Sequence, residues 1–353
     1  MVLFEVGMFI FFLLILLKSS DYFVEAATKI ARYFYIPEFT IGVTVIAVGT
    51  SLPEITSAIF AALNNESSLV IGTAIGSNIA NISLILGIAA LWSVIKIKRE
   101  VFIRDCVFLI FVTVAFYILS LDGLISWTEG IMFVLLFAVY FYIMYITRLE
   151  SDISERYVKF LGYLYRIKDI DGVKNIKELK ERAVNHEEKN FVKLRGNMTR
   201  SECFLYLLFM ILSCGVLLWS AKYLVKYSIE LASLLEVNVG FVGLIFVAVG
   251  TSLPELAVTI SSLKKGFHNM LIGNIIGSNI TNTLIVVGFA AIINPIVITK
   301  IDLFFLFPFL LITTVFLLSF IRSEWFTRIK EGLIMLSFYA VFLITSYFVF
   351  FNN

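Results

Sequence analysis

Two short stretches occur twice in the chain: AVGTSLPE at 47–54 and 248–255, and IGSNI-x-N at 75–81 and 276–282. Residues 42–90, which hold the first copies, align without a gap with the residues 201 positions later, and 21 of the 49 aligned positions are identical. Self-similarity over this length predicts two halves with the same local structure. The polar residues inside these stretches are therefore the first candidates for a shared site.

The composition predicts a chain that is largely surrounded by lipid. Apolar residues make up 60% of the 353 positions and charged residues 15%, and the mean hydropathy is +0.95. A soluble domain has roughly 45–50% apolar and about 25% charged residues, so a soluble enzyme or nucleic-acid-binding protein is excluded. The net charge of +2 gives no signal for a polyanionic partner. Cys106, Cys203 and Cys214 are predicted to be buried apolar side chains without a disulfide.

The apolar residues fall into ten stretches, each long enough to cross a bilayer, which takes about 20 residues. They predict an all-α integral membrane protein with transmembrane helices at 2–20, 38–63, 69–95, 102–121, 125–147, 203–225, 239–263, 269–294, 303–321 and 329–351. The first stretch is not a cleavable signal peptide, because Glu5 stands where a basic residue is expected.

A polar segment divides the spans into two sets of five, in regions 1–147 and 202–353. Because five is odd, the second set enters the membrane inverted, and the halves are related by a pseudo-two-fold axis in the membrane plane. The segment between them, 148–201, is predicted to be a connector with short amphipathic helices at 155–167 and 174–190.

Basic residues sort onto one side of these spans, which the positive-inside rule makes cytoplasmic. The sequence thus predicts a multi-pass protein of the cell membrane with both termini extracellular, the 148–201 loop cytoplasmic and no obligate protein partner. The residues on the cytoplasmic side, besides the loop, are Lys29, Arg32, Lys96, Lys98, Arg99, Lys264, Lys265, Arg322 and Arg328.

Two carboxylates remain deep inside the spans, Glu54 and its repeat partner Glu255. An ionisable side chain at this depth is costly and marks a functional site by default. Pro53 and Pro254 precede them, and each removes the helical hydrogen bond to the carbonyl four residues earlier. We therefore expect helices 2 and 7 to be broken here, with released carbonyls that line a protein-enclosed cavity.

Hydroxyl and amide groups repeat around the carboxylates. Each Ser-x-x-x-Asn pair in the second motif lies on one helix face because its members are four residues apart. The spacings Gly72-xxx-Gly76 and Gly273-xxx-Gly277 favour close helix packing. The polar residues of this set are Thr50, Ser51, Ser77 and Asn81 in the first half and Thr251, Ser252, Ser278 and Asn282 in the second.

The donor atoms in this set are all oxygens, which favours a hard cation over zinc or copper. Two Glu residues with carbonyls near Thr50 and Thr251 supply about six ligands, as Ca²⁺ requires, and the same oxygens suit Na⁺. Mutual exclusion at one site predicts an exchanger, with Ca²⁺ and Na⁺ as substrates, the bilayer as surroundings and no cofactor. H⁺/Ca²⁺ exchange, a passive cation channel and a structural or receptor-like protein stay open as alternatives.

At AVGTSLPE and GSN-I-x-N the sequence resembles the calcium/cation antiporter superfamily, and its sodium/calcium exchanger branch in particular. The resemblance implies a Na⁺-driven Ca²⁺ antiporter with ten helices, in which spans 1 and 6 slide as a pair against the rest. It implies that Glu54 and Glu255 chelate Ca²⁺ with the carbonyls of Thr50 and Thr251. The residues it implies at flanking Na⁺ sites are Ser77, Ser278, Ser51, Ser252 and the Ala47 and Ala248 carbonyls, with Asn81 and Asn282 at the centre.

Two positions separate the branches of this superfamily. Proton-coupled relatives usually carry Gly-Asn before the Glu, so Gly49-Thr50 and Gly250-Thr251 favour Na⁺. In the potassium-dependent branch an Asp at the position of Asn282 helps to hold K⁺, so the amide here argues against K⁺ cotransport. Because the site has only two formal negative charges, several bound Na⁺ ions would give it a net positive charge. We therefore expect binding to depend on the membrane voltage.

Charged residues on spans 1 and 6 are aligned with reversed sign. At the 201-residue offset Asp21 aligns with Lys222, Glu25 with Lys226 and Lys29 with Glu230. They are predicted to be solvated helix ends, with a role in the movement of these helices as the alternative.

Overall fold

The computed structural model describes residues 2–33, 47–96, 105–149, 199–264, 268–324, 326–327 and 329–351, and nearly all of them are helical. The two amphipathic helices predicted between 148 and 201 lie outside these ranges, as do four of the basic residues predicted to be cytoplasmic, Lys98, Arg99, Lys265 and Arg328.

The helices of the first half follow the predicted spans closely in order and position. They are α1 Val2–Tyr33, α2 Ala47–Thr50, α3 Leu52–Leu63, α4 Ser67–Ile79 continuing through a π-helical segment Ala80–Ile85 into α5 Leu86–Trp92, α6 Val107–Leu119 and α7 Trp127–Leu149.

The second half repeats this order. Its helices are α8 Arg200–Leu234, α9 Val239–Val242 with a π-helical segment Gly243–Val247 leading into α10 Ala248–Thr251, α11 Leu253–Lys264, α12 His268–Thr281 continuing through a π-helical segment Asn282–Val286 into α13 Val287–Ile293, a π-helical segment Asp302–Leu306 leading into α14 Phe307–Glu324, and α15 Ile329–Phe351.

Eight helical stretches in the described residues are long and apolar enough to cross a bilayer. Two shorter apolar helices, α3 and α6, correspond to the other two predicted spans, and the predicted starts of both spans lie outside the described residues. The protein is thus an all-α membrane protein. The long stretches are Leu3–Ala27, Ser67–Trp92, Trp127–Met144, Arg200–Leu234, Val239–Lys264, Leu271–Ile293, Asp302–Phe320 and Ile329–Phe350.

Helices α1 and α8 are longer than the predicted spans 2–20 and 203–225, which were wrong at their ends. The apolar criterion stops at the charged residues, whereas the backbone stays helical beyond them. Lys29 pairs with Glu25 at 2.7 Å and Lys226 with Glu230 at 3.7 Å, each one helical turn apart. Such i,i+4 pairs are compatible with a helix that emerges from lipid.

The centre of the molecule is formed by the helical stretches that carry the second repeated motif. Of the 18-residue apolar segments within Ser67–Trp92 and Leu271–Ile293, 83% is buried inside the protein, against 28% of the segment within Leu3–Ala27 and 17% of that within Arg200–Leu234. Helices α1 and α8 pack against each other at the periphery, where Phe12 stacks on Tyr223 with ring centroids 4.9 Å apart.

Two short antiparallel sheets connect the halves. β1 (Ile95–Lys96) pairs with β4 (Phe326–Thr327), and β2 (Leu124–Ile125) pairs with β3 (Ile296–Val297). The residues of β3 lie 201 positions after those of β1, so each half contributes one equivalent strand to a different sheet.

Candidate cation-binding site

Both predicted helix breaks are present, and each is one residue long. Helix α2 ends at Thr50 and α3 begins at Leu52, and the intervening Ser51 has φ −86° and ψ 5°. Ser252 separates α10 from α11 with nearly the same angles, φ −82° and ψ 5°. The proline that follows each break stands at the start of a new helix, where its missing N–H costs no hydrogen bond.

One carbonyl released by the break accepts a hydrogen bond from another helix. The Ser20 hydroxyl on α1 donates to the Gly49 carbonyl at 3.1 Å, and this is the carbonyl that Pro53 cannot reach. The Gly49 carbonyl thus has one hydrogen-bond partner on α1, and whether its second lone pair faces the cavity stays a prediction. Alanine replaces serine at the equivalent position of the second half, Ala221, so this bond has no repeat partner.

The two halves exchange hydrogen bonds at the carboxylates. Ser252 donates to Glu54 Oε1 at 3.4 Å, and Ser51 donates to Glu255 Oε1 at 3.5 Å. Ser278 also donates to Glu255 Oε1, at 3.2 Å. All these side chains are buried, so the serine at each break binds the carboxylate of the other half and brings both carboxylates to one place.

Some side-chain atoms of the site have no hydrogen-bond partner among the described residues. They are the Oε2 atoms of Glu54 and Glu255 and the side-chain amides of Asn81 and Asn282, whose residues are all 0% exposed. An unpaired carboxylate oxygen or amide in the interior is costly. A hard cation between the carboxylates would satisfy these atoms and balance their charge.

Ser77 takes a different partner from its repeat counterpart. Its hydroxyl donates to the Ala248 carbonyl at 3.3 Å, whereas Ser278 binds Glu255. Two predicted site residues, Ser77 and Ala248, are therefore in contact. Ala47 is the first residue of α2, and Thr50 and Thr251 are buried at the ends of α2 and α10.

Both asparagines coincide with π-helical turns that the sequence did not predict. Leu86 N–H donates to the Asn81 carbonyl and Val287 N–H to the Asn282 carbonyl, so each bond spans five residues. π-Bulges within α-helices often occur at functional sites. The spacing of the residues gives no sign of a π-helical turn. The turn nevertheless occurs at the equivalent position in both halves.

The glycines of α4 bring the helices of the two halves together. A Cβ atom on Gly76 would lie 2.8 Å from the Leu244 carbonyl oxygen and 2.8 Å from Ala248 Cβ, and one on Gly72 would overlap the Gly240 carbonyl. The predicted packing role is confirmed for these two residues. Gly273 has no such neighbour among the described residues, and the segment that repeats 240–244, residues 39–43, lies outside them.

A contact between the halves that the sequence did not predict joins the residues that follow Ser77 and Asn282 in the chain. Asn78 Nδ2 donates to Thr283 Oγ1 at 2.9 Å, and both residues are buried. Within the described ranges no group of three or more His, Cys, Asp or Glu residues forms a metal cluster. The formal charge of the candidate site thus comes from the two glutamates.

The chain matches known proteins over most of its length. The family model described as sodium/calcium exchanger protein matches residues 4–146 and 205–348. The sodium/calcium exchanger MaX1 of Methanosarcina acetivorans is 34% identical over 96% of this chain and 97% of its own length. The inner membrane protein YrbG of Escherichia coli is 33% identical over 80% of this chain and 78% of its own.

A solved structure of the sodium-calcium exchanger NCX_Mj, soaked with Na⁺ and Sr²⁺, is also similar. It superposes with a TM-score of 0.59 at 26% sequence identity and covers 97% of this chain and 98% of its own. The two segments that the family model matches contain the two repeats and leave out the polar segment between them. The chain belongs to the sodium/calcium exchanger family, a branch of the calcium/cation antiporter superfamily.

Proposed function

We propose that this protein exchanges Na⁺ for Ca²⁺ across the membrane by alternating access at one shared site. The observation that carries this proposal is the pair of buried carboxylates, Glu54 and Glu255, each bound by the serine at the other half's helix break. The two negative charges balance the charge of one Ca²⁺ ion. Because Ca²⁺ and Na⁺ would use the same oxygens, the two ions cannot bind at the same time. Exclusive binding makes the uphill movement of one ion depend on the downhill movement of the other.

The proposed ligands divide into a central group and flanking groups. Glu54 and Glu255 chelate Ca²⁺ with the carbonyls of Thr50 and Thr251, and Asn81 and Asn282 lie at the centre. The flanking Na⁺ positions use Ser51, Ser252, Ser77 and Ser278 with the Ala47 and Ala248 carbonyls. The Ser77–Ala248 contact and the unpaired amides support this division.

The proposed architecture is ten transmembrane helices in two inverted repeats, 1–147 and 202–353, joined by a cytoplasmic loop at 148–201. The equivalent strands β1 and β3 belong to different sheets. A two-fold axis in the membrane plane relates such sheets and places them on opposite faces. With the basic residues inside, both termini are extracellular and the protein lies in the cell membrane.

The function is tested by ⁴⁵Ca²⁺ uptake into proteoliposomes under imposed ion gradients. An outward Na⁺ gradient is expected to drive Ca²⁺ uptake. K⁺ or H⁺ gradients of the same size are not expected to drive it. Uptake driven by pH and independent of Na⁺ assigns H⁺/Ca²⁺ exchange instead, and a strict need for K⁺ assigns the potassium-dependent reaction. Single-channel currents from the purified protein would indicate a passive cation channel.

Membrane potential is expected to change the rate of Na⁺-driven Ca²⁺ uptake. Only two carboxylates offset the charge of the bound ions, so several Na⁺ ions leave net positive charge within the membrane, and a moving charge experiences about 2.3 kcal/mol per 100 mV. The measurement compares uptake at potentials clamped with valinomycin and K⁺. Equal rates at all potentials would contradict this prediction.

Removing the cross-bonding hydroxyls is expected to weaken ion binding. Ser51→Ala and Ser252→Ala each delete a donor to a buried carboxylate, and such hydrogen bonds are worth about 1.5 kcal/mol or more. We expect the Ca²⁺ concentration for half-maximal uptake to rise about tenfold.

The matched control is Ser228→Ala, because that buried hydroxyl binds the Leu224 carbonyl of its own helix. Equal shifts in Ser228→Ala and Ser51→Ala would assign the effect to lost helix stability.

A further inference from the structure

A second group of buried polar side chains lies one helical turn beyond Glu255, toward the Lys264 end of α11. Thr259 follows Glu255 by four residues, and Asn274 precedes Ser278 by four residues on α12. Residues four apart share a helix face, and Glu255 and Ser278 already touch. Only three residues, 265–267, join α11 to α12, so the helices are antiparallel neighbours. Thr259 and Asn274 therefore lie at the same depth on facing helices.

Both side chains are buried and lack hydrogen-bond partners within the described part of the chain. Thr259 is 0% exposed and Asn274 is 5% exposed, and the Thr259 hydroxyl and both amide atoms of Asn274 have no hydrogen-bond partner among the described residues. Buried threonines elsewhere, such as Thr113 and Thr314, donate to the carbonyl four residues earlier at 2.8 Å. The Thr259 hydroxyl does not make this common hydrogen bond to a backbone carbonyl of its own helix.

Glu255 supplies a third free oxygen at this end of the site. Its Oε1 atom accepts from Ser51 and Ser278, whereas its Oε2 atom is unpaired. Together Glu255 Oε2, Thr259 Oγ1 and Asn274 Oδ1 offer one carboxylate and two neutral oxygens. This donor set carries a single negative charge and suits a hard monovalent cation completed by water.

We propose that Thr259 and Asn274, with Glu255 Oε2, form a second cation station that holds one Na⁺ ion between the central site and the Lys264 end of α11. Its transport role rests on the proposed exchange function, because Na⁺ that enters or leaves at this end binds there in transit. The equivalent positions of the first half are Ala58 and Thr73. The amide–hydroxyl pair thus occurs in the second half only. Its loss is therefore expected to affect Na⁺ binding from one side of the membrane only.

The test uses Thr259→Val and Asn274→Leu, which keep side-chain size and remove the polar atoms. Na⁺-dependent ⁴⁵Ca²⁺ flux is measured in inverted and in right-side-out membrane vesicles, which expose opposite faces. Each variant is expected to raise the half-saturating Na⁺ concentration about 3- to 10-fold on the Lys264 face, and to leave the other face unchanged. Asn274→Asp adds a carboxylate and is expected to lower the half-saturating concentration on the same face.

Thermal unfolding of purified protein gives an independent result. Because the deleted atoms are unpaired, Thr259→Val and Asn274→Leu are expected to keep or raise the unfolding midpoint without Na⁺ and to reduce the further rise that Na⁺ produces. Thr314→Val, which deletes a hydroxyl bonded within its own helix, is expected to leave the rise produced by Na⁺ unchanged.

Two results overturn the proposal. One is an unchanged Na⁺-dependent midpoint in Thr259→Val and Asn274→Leu, and the other is an equal loss of Na⁺ affinity on both faces. If the wild type shows no Na⁺-driven flux, the proposed exchange function fails, while the Na⁺-dependent midpoint still decides whether the station binds Na⁺.

Discussion

Glu54→Gln and Glu255→Gln are each expected to lower Ca²⁺ affinity by at least about 100-fold and to abolish Na⁺-driven Ca²⁺ uptake. The substitution keeps the size of the side chain but removes a charge from a site where both carboxylates are 0% exposed. Removing one partner of a buried charge pair costs about 2–5 kcal/mol; for these fully buried carboxylates we expect about 2.7 kcal/mol or more, which corresponds to at least 100-fold. The measurement is ⁴⁵Ca²⁺ binding to purified protein together with flux in proteoliposomes.

The control for these variants is Glu236→Gln, an exposed carboxylate in the connection after α8. It is expected to bind and transport as the wild type does. Full exchange activity in Glu54→Gln would remove the basis of the site assignment. A loss in Glu236→Gln of the same size would show that the amide substitution damages the protein generally.

Gly72→Ala is expected to destabilise the protein and to disrupt the site at the same time. A Cβ atom at this position would overlap the Gly240 carbonyl and lie 3.1 Å from the Leu244 N–H nitrogen. Both are backbone atoms, so relief requires that α4 and the segment before α10 move apart. Overpacking of this kind costs about 1–3 kcal/mol. The displaced segment leads directly into Ala248 and Thr251, so Ca²⁺ affinity is expected to fall with stability.

Gly215→Ala on α8 is the matched substitution, because a Cβ there meets no atom within 4 Å. Alanine is a better helix former than glycine by about 1 kcal/mol, so this variant is expected to be as stable as the wild type or more stable. The thermal unfolding midpoint and ⁴⁵Ca²⁺ binding are measured for both. A Gly72→Ala protein with wild-type stability and affinity would contradict the role of this contact.

The helix breaks could be predicted because proline acts locally. Pro53 and Pro254 each remove one helical hydrogen bond and so favour a kink or break close to their own positions, and the breaks appear at Ser51 and Ser252. The membrane class followed just as directly from composition.

The hydrogen-bond partners could not be predicted in the same way. Residue spacing places a hydroxyl on a helix face but does not select its acceptor. Ser51 binds the glutamate of the other half, and Ser20 engages the Gly49 carbonyl. These choices depend on how α1, α2 and α11 pack, which is a property of the whole fold. The π-helical turns at Asn81 and Asn282 are likewise set by packing, since their residue spacing is that of an ordinary helix.

The ends of α1 and α8 show why hydropathy underestimates helix length. Apolarity reports contact with lipid, and it ends near Asp21, whereas α1 continues to Tyr33. The Lys29 ammonium donates to the Tyr206 hydroxyl of α8 at 2.9 Å, which fastens the extension to its neighbour. Packing between these two helices thus extends beyond the apolar limit of the spans.

We propose that Na⁺ and Ca²⁺ compete for one site closed by Glu54 and Glu255. The most direct test is equilibrium ⁴⁵Ca²⁺ binding to purified protein at increasing Na⁺ and constant ionic strength. Na⁺ is expected to displace Ca²⁺ completely, and raised Ca²⁺ is expected to restore binding to the same maximum. Ca²⁺ that stays bound at saturating Na⁺ would place the two ions at separate sites and contradict the account.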